Sequence, residues 1–241
     1  MTIPLAIFSS FTGAFDFVLH QRDAVTGGGV QVGGPEFVWH FARTQLEVTA
    51  VALALALAIA LPIGLVLGHM GRGELFAIGF GNAGRAVPEI AVIFLLAAVI
   101  GIGLRNVAIA LTILGLPPIL TNTYVAMRQV DPVAVDAAKG TGMNGVQVIA
   151  RVELPLAAPT IMSGVRTSAI NIFATATIAS FVGLSTLGDL VTGRNVYGDD
   201  GVVAGAIVIA LFAMAIELLL AGVQRIVTPK GLKLQRRSAG A

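Results

Sequence analysis

Long apolar stretches separated by short connections that hold almost all the charge organise this chain. Nothing from Val48 to Gly68 carries a formal charge, and the same holds from Asn106 to Met127. Ala86 to Leu104 carries only Glu89, Leu156 to about Phe181 only Arg166, and Gly201 to about Gln224 only Glu217. A bilayer core about 30 Å thick is crossed by about 20 residues of helix, so these five stretches predict five transmembrane helices. Each in-span charge costs about 2.5–3.5 kcal/mol at the bilayer centre and must face protein, water or an interface; Arg166 is expected either to pair with Glu217 or Glu89 or to orient the fourth span at a protein interface. Pro117 and Pro118 predict a kink in the third span, tolerated where the bundle re-satisfies freed backbone groups. Residues 1–43 are broken by Asp16, Arg22, Asp23, Glu36 and the loop TGGGVQVGGP. They predict an extracytoplasmic segment with residues 3–19 at the interface, a sixth, weak span there being the alternative, and with no basic region before the apolar stretch they do not resemble a secretory signal.

Composition agrees with the pattern. The 241 residues are 56% hydrophobic and 12% charged, with mean hydropathy +0.90. A soluble domain carries roughly a quarter of its residues as charges, which this chain lacks. The isoelectric point near 9.4 rests on a net charge of only +2, which argues against a nucleic-acid partner. Without cysteine and with only His20, His40 and His69, no metal site is expected. Five spans put the termini on opposite sides. With the C-terminus inside, Arg72, Arg85, Arg128, Lys139, Arg151, Arg225, Lys230, Lys233, Arg236 and Arg237 are cytoplasmic and Arg22, Arg43, Arg105 and Arg194 are outside, ten against four. The positive-inside rule therefore predicts N-out, C-in. Residues 44–227 form the membrane domain, 128–155 its cytoplasmic loop and 228–241 a basic cytoplasmic tail.

The 128–155 loop is longer than helix packing requires, which marks it as functional. Asp131 is an N-cap and Pro132 sits at the first helical position, where its missing N–H costs nothing. Gly140 and Gly142 end that helix, and a second, from about Asn144 to Glu153, is expected to stop at Pro155. A bent helix pair exposing Asp136 and Lys139 suits a soluble partner; a helix pair lying on lipid is the alternative.

In these residues the chain resembles the permease subunits of ATP-binding cassette (ABC) transporters. DAAKGTGMNGVQVIARVELP is similar to their EAA signature: Asp136, Ala137 and Ala138 stand at the acidic-Ala-Ala positions, Gly142 at the glycine, and Val152, Leu154 and Pro155 at Ile-x-Leu-Pro. Asp for Glu and Val for Ile are departures that keep charge or shape. LTILGLPPILTNTYVAMRQVDP and LPLAAPTIMSGVRTSAI look like the osmoprotectant branch, which handles glycine betaine, carnitine and choline. In FVGLSTLGDL, Ser185 and Thr186 interrupt a run that is usually rich in Gly and Ala. The resemblance spans residues 44 to about 190. It implies an all-α, polytopic fold of the type I ABC importer kind in the bacterial cell membrane. It also implies a second permease subunit, identical or homologous, two cytoplasmic ATPases that hold ATP and Mg, and an extracytoplasmic substrate-binding protein.

The remaining chemistry fits a transport role. Ser163, Gly164, Ser168, Ala169, Ala174, Thr175, Ala176, Thr177, Ala179 and Ser180 make the fourth span small and mildly polar, so Thr175, Thr177, Ser180, Arg166 and Glu217 are candidates for the pathway or an interface. No GxxxxGK[ST] loop occurs, so the chain is expected to bind no cofactor itself. Glu89, Arg166 and Glu217 form no catalytic pattern, so no catalytic residue is expected. One Trp, Trp39, and 6% aromatics supply no evident cage for a quaternary ammonium group. Another small solute, such as an amino acid, remains an alternative cargo. A secondary carrier is disfavoured because no internal repeat is visible.

Overall fold

The charge-free stretches are helices in the computed structural model, which describes residues 3–229. In chain order these are α1 (Ile3–Leu19), an antiparallel hairpin of β1 (Gln21–Asp23) and β2 (Gln31–Gly33), α2 (Pro35–Met70), α3 (Glu74–Ala86), α4 (Glu89–Ile100) and α5 (Leu104–Arg128). They continue with α6 (Pro132–Gly140), α7 (Gly145–Val148), a π-turn (Ile149–Glu153), α8 (Leu154–Thr175), a 3₁₀ segment (Ala176–Val182), α9 (Leu187–Thr192) and α10 (Arg194–Val227). Among the described residues four helical stretches are long and apolar enough to cross a membrane: α2, α5, Gly145–Val182 and α10.

Several boundaries differ from the sequence expectation. The first span begins at Pro35, not near Val48, because Pro35 and Glu36 open the helix and its charges pair along one face, Arg43 Nε donating to Glu47 at 2.7 Å. The 43/44 boundary thus falls inside α2. Between Ala86, the last residue of α3, and Leu104, the first of α5, only the 12 residues of α4 are helical, about 18 Å at the helical rise. Pro88 precedes them, and Gly101 and Gly103 take φ of +89° and +129° after them. The last span starts at Arg194, with a break at Gly198, where φ is 70° and ψ −176°. α5 stays helical across Pro117 and Pro118. The Pro117 ring packs where Gly84 has no side chain, a Cβ there falling 2.4 Å from Pro117 Cγ, and Ser168 Oγ donates to the Gly115 carbonyl at 2.8 Å. From residue 230 onward the expected basic tail lies outside the described residues.

The chain forms two units. The first takes residues up to Val51, Glu89–Leu111 and Ile172–Ala215. Its core joins Ala14 and Phe17 of α1, Val32 of β2, Val38, Phe41 and Ala42 of α2, Leu187 and Leu190 of α9, and Ala204 and Val208 of α10. Phe17, Phe37, Phe41 and Tyr197 meet edge to face, with centroids 5.1 Å (Phe37–Phe41) to 6.5 Å (Phe41–Tyr197) apart. The hairpin pairs Gln21 with Gly33, Arg22 with Val32 and Asp23 with Gln31. Fully buried Gln45 donates through Nε2 to the Phe173 carbonyl (3.0 Å) and accepts from the Leu187 amide (3.1 Å), so it ties α2 to α8 and α9.

The second unit takes Ala52–Pro88, Thr112–Asn171 and residues from Ile216 onward. Here α2 turns a row of Ala52, Ala56, Ala60, Gly64 and Gly68 inward, one residue per turn and all of them buried. Cβ atoms placed on Gly64 and Gly68 would lie 2.7 Å from Thr123 Cβ and 2.5 Å from Met127 Cβ, so α5 packs directly on bare α2 backbone. Lipid supplies no hydrophobic drive between helices, and small residues substitute close backbone approach for it.

Candidate functional site

The 131–155 loop is built from local signals. Asp131 caps α6, its Oδ1 accepting from the Val133 amide at 2.9 Å, and Pro132 follows in the first turn. α6 closes with the Met143 amide donating to Ala138 O (3.3 Å) and the Gly142 amide to Lys139 O (2.9 Å). This is a Schellman turn, and it requires the left-handed φ of +85° that Gly142 adopts. Asn144 then caps α7 reciprocally with Gln147, at 3.0 and 2.9 Å. Ala138 and Val148 are buried, and Val135 and Ile149 pack on a cluster containing Met127, Val130 and Ile161. Asp136, Ala137, Lys139 and Gly142 are exposed. Val133 and Val146 stand out at 74% and 76% exposure. The loop is therefore a preformed bent pair with an outward face that is partly apolar.

The expected stop at Pro155 is absent: the chain is helical from Gly145 to Val182. A proline inside a helix clashes with the carbonyl four residues back, and here the wider π-turn over Ile149–Glu153 lies just before it and accommodates the ring. Val152, Leu154 and Pro155, all half-buried, carry the loop into α8. Sequence reasoning missed the contact at this joint, where His69 Nδ1, near the end of α2, donates to Glu153 Oε2 at 2.7 Å. A signal was present, since an acidic residue between apolar neighbours at a membrane boundary needs a partner.

Of the other candidates, Arg166 and Glu217 are brought together as an ion pair. Arg166 Nη1 also donates to Gln224 Oε1 at 2.5 Å, and Gln224 Nε2 reaches the Pro159 carbonyl at 2.7 Å. The pair is thus embedded in a polar bracket between α8 and α10. Glu89 instead accepts from buried Thr175 Oγ at 2.5 Å. Thr177 and Ser180 turn back onto the 3₁₀ backbone, donating to Ala174 O (2.6 Å) and Thr177 O (3.1 Å). Gly164, Ser168, Ala169, Ala176 and Ala179 are buried in packing. The open face of α8 carries Ser163, Thr167, Asn171 and Ala174. Among the described residues no group of three or more His, Asp or Glu is placed to hold a metal ion.

Outside the apolar spans, the shoulder formed by α9 holds Asp189, whose carboxyl is pushed above its ordinary range by burial, against the opposing effect of the Thr186 amide. That amide donates to Asp189 Oδ2 at 2.8 Å and starts α9.

Comparison with known proteins places this architecture. Residues 60–232 match the family described as binding-protein-dependent transport system inner membrane component. The glycine betaine/carnitine/choline transport system permease protein OpuCB of Bacillus subtilis (strain 168) is 36% identical over 205 residues, covering 85% of this chain and 94% of its own. The carnitine transport permease protein OpuCB of Listeria monocytogenes is 35% identical over 176 residues, covering 73% and 81%. The fold is similar to that of the MetNI methionine ABC transporter in an inward-facing conformation, with TM-score 0.70 and 20% identity over 80% of this chain and 96% of that one. Apolar helices of membrane-spanning length, the loop motif and these matches agree: the chain belongs to the binding-protein-dependent inner-membrane components, the multi-pass permease subunits of ABC transporters.

Proposed function

We propose that this chain forms the translocation path of an importer for osmoprotectants of the glycine betaine, carnitine and choline class. Two such subunits, identical or homologous, enclose the path, and two separate ATPases on the cytoplasmic side hold and hydrolyse ATP. In this reading the chain crosses the membrane five times, N-out and C-in, with α4 as the short crossing, and the 131–155 loop is cytoplasmic. A binding protein selects the solute outside and delivers it near Gly183–Asp200. The open face of α8, with Ser163, Thr167 and Asn171, offers hydroxyl and amide groups to a hydrated path; against lipid these groups would carry a desolvation cost. Arg166 and Glu217 neutralise one another and orient α8 beside α10, so neither traps a zwitterionic solute.

The observation that supports coupling most directly is the bent helix pair, held by its own caps with Val133, Asp136 and Val146 outward. An ATPase groove receiving that shape moves it as the two ATPases close on ATP. The cargo class rests on about one-third sequence identity, over most of the chain, to permeases named for those solutes.

The test is uptake of labelled glycine betaine under osmotic stress in cells lacking this chain, complemented by wild type or by Gly142→Trp. A non-glycine residue in the left-handed region costs about 1–3 kcal/mol, and a Cβ at Gly142 meets nothing within 4 Å, so backbone strain is the penalty expected at the turn itself. Wild type is expected to restore uptake, and the variant to insert in the membrane without restoring it. Failure of wild type to restore uptake, with its partners present, refutes the cargo; full uptake by the variant refutes the role of the turn.

A further inference from the structure

The loop is tied to the membrane helices by covalent continuity at both ends, by the packing of Val135 and Ile149 on the apolar cluster of Met127, Val130 and Ile161 and by a polar contact at its base. Glu153 is 5% exposed, and its carboxylate accepts from His69 Nδ1 at 2.7 Å. The same imidazole also faces the beginning of the second loop helix, since a Cβ on Gly145 would lie 3.3 Å from His69 Nε2. His69 therefore bonds the last residue of the π-turn and lies beside the first residue of α7, the two ends of the Gly145–Glu153 segment. It belongs to the end of α2, more than eighty residues earlier in the chain. A π-turn is a loosened piece of helix; apolar packing of Ile149 holds its first residue, and the His69 contact gives its last residue, Glu153, a directional polar attachment to α2. A carboxylate buried to this degree is held strongly to a charged or donating partner and is costly to separate from it.

We propose that His69 is a positioning residue, and that the His69–Glu153 contact pins the loop to the end of α2 so that the two move as one body when the partner ATPases close. The inference rests on the reading of the 131–155 loop as the ATPase contact. It assigns a specific job to α2: the helix carries the loop's displacement toward the row of small residues against which α5 packs.

The chain has no cysteine, so single thiols report local movement cleanly. Met70→Cys places a thiol at the exposed end of α2, and Val146→Cys one on the loop. The measurement is the maleimide labelling rate of each in the full transporter, nucleotide-free and trapped with ATP and vanadate. With the pin intact, both rates are expected to change between the two states by several-fold. With His69→Ala or Glu153→Gln added, the loop thiol is expected to keep its change and the Met70→Cys thiol to lose it, and solute moved per ATP should fall at least tenfold. A purely stabilising contact would instead lower the yield of assembled complex and leave the responses of assembled molecules intact, which overturns the proposal. An unchanged Met70→Cys response in both pin variants also overturns it. If neither thiol responds even with the pin intact, the coupling reading of the loop fails, and this inference with it.

Discussion

Phe17 and Ala60 are both sealed from solvent, yet what closes over them differs. Around Phe17 the cover is other side chains: Phe37 and Tyr197 edge on, the Arg22 guanidinium 4.8 Å above the ring, and Ala204 nearby. Around Ala60 the cover is a neighbouring helix brought close because the row from Ala52 to Gly68 has almost no side chain to hold it off. The first is the packing of a water-soluble core, in which aromatic area leaves water. The second is packing in a lipid solvent, where burying area gains little and close backbone contact gains more. The α1–hairpin segment also lies outside the family match, which begins at residue 60.

The two regions therefore obey opposite substitution rules. Phe17→Ala removes a fully buried aromatic ring and leaves a cavity, and it should cost about 3–5 kcal/mol. Its signature is local: protease cleavage in the Gly27–Gly29 loop should accelerate while the remainder of the protein keeps its melting temperature in detergent. Global unfolding by Phe17→Ala would show that this segment is not separately held.

The reverse substitution tests the other region. In an ordinary helix Gly→Ala stabilises by about 1 kcal/mol. At Gly64 the added methyl would meet Thr123 Cβ at 2.7 Å, and overpacking of this kind costs about 1–3 kcal/mol. Gly64→Ala should therefore lower the melting temperature of the purified protein, whereas Gly79→Ala, with open space around its Cβ position, should leave it unchanged or raise it. Stabilisation by Gly64→Ala would rule out the close approach of α2 and α5.

What could be read from sequence follows the range of the signal. The bend of the 131–155 loop was legible because its signals are local: Asp131 before Pro132, Gly142 ending the first helix, and a second helix opening near Asn144. That Arg166 needs a counter-charge was also legible, but the sequence left Glu217 and Glu89 as equal candidates, and packing of α8 against α10 decides for Glu217. The hairpin was not, because its register joins three polar residues to Gln31, Val32 and Gly33 without alternation. The start of α2 was hidden by Glu36, Arg43 and Glu47, which look like interruptions of a span until they are placed one or two turns apart on one helix. The length of α4 was overestimated because absence of charge measures compatibility with lipid and not helix formation; Gly101 and Gly103 held the missing information. Pro155 misled in the other direction, since the π-turn that lets the helix run through it leaves no local mark in the sequence. His69 and Glu153 were invisible as a pair because nothing local connects them.

The smallest expected effect concerns the ion pair at the edge of the aromatic cluster. Arg22 Nη1 donates to Asp200 Oδ2 at 2.7 Å and Nη2 to the Tyr197 carbonyl at 3.1 Å. The Asp200 carboxylate lies against Gly13, where a Cβ would fall 2.4 Å from its Cγ. The geometry invites the view that charge fastens α1 and the hairpin to the start of α10. Both side chains are nevertheless about one-third exposed, at 30% and 33%, and ion pairs in such positions contribute about 0.2–1 kcal/mol. A double-mutant cycle of Arg22→Met and Asp200→Asn, read by the same protease cleavage, should give a coupling within that range that shrinks as salt is added. Arg22→Met alone should cost more than the coupling, because the guanidinium also covers the Phe17 face and satisfies a carbonyl, and methionine replaces only part of that. A salt-insensitive coupling several times larger would mean that this segment is held by a desolvated charge pair, and the contrast with the α2–α5 contact would then be one of electrostatics and not of aromatic burial.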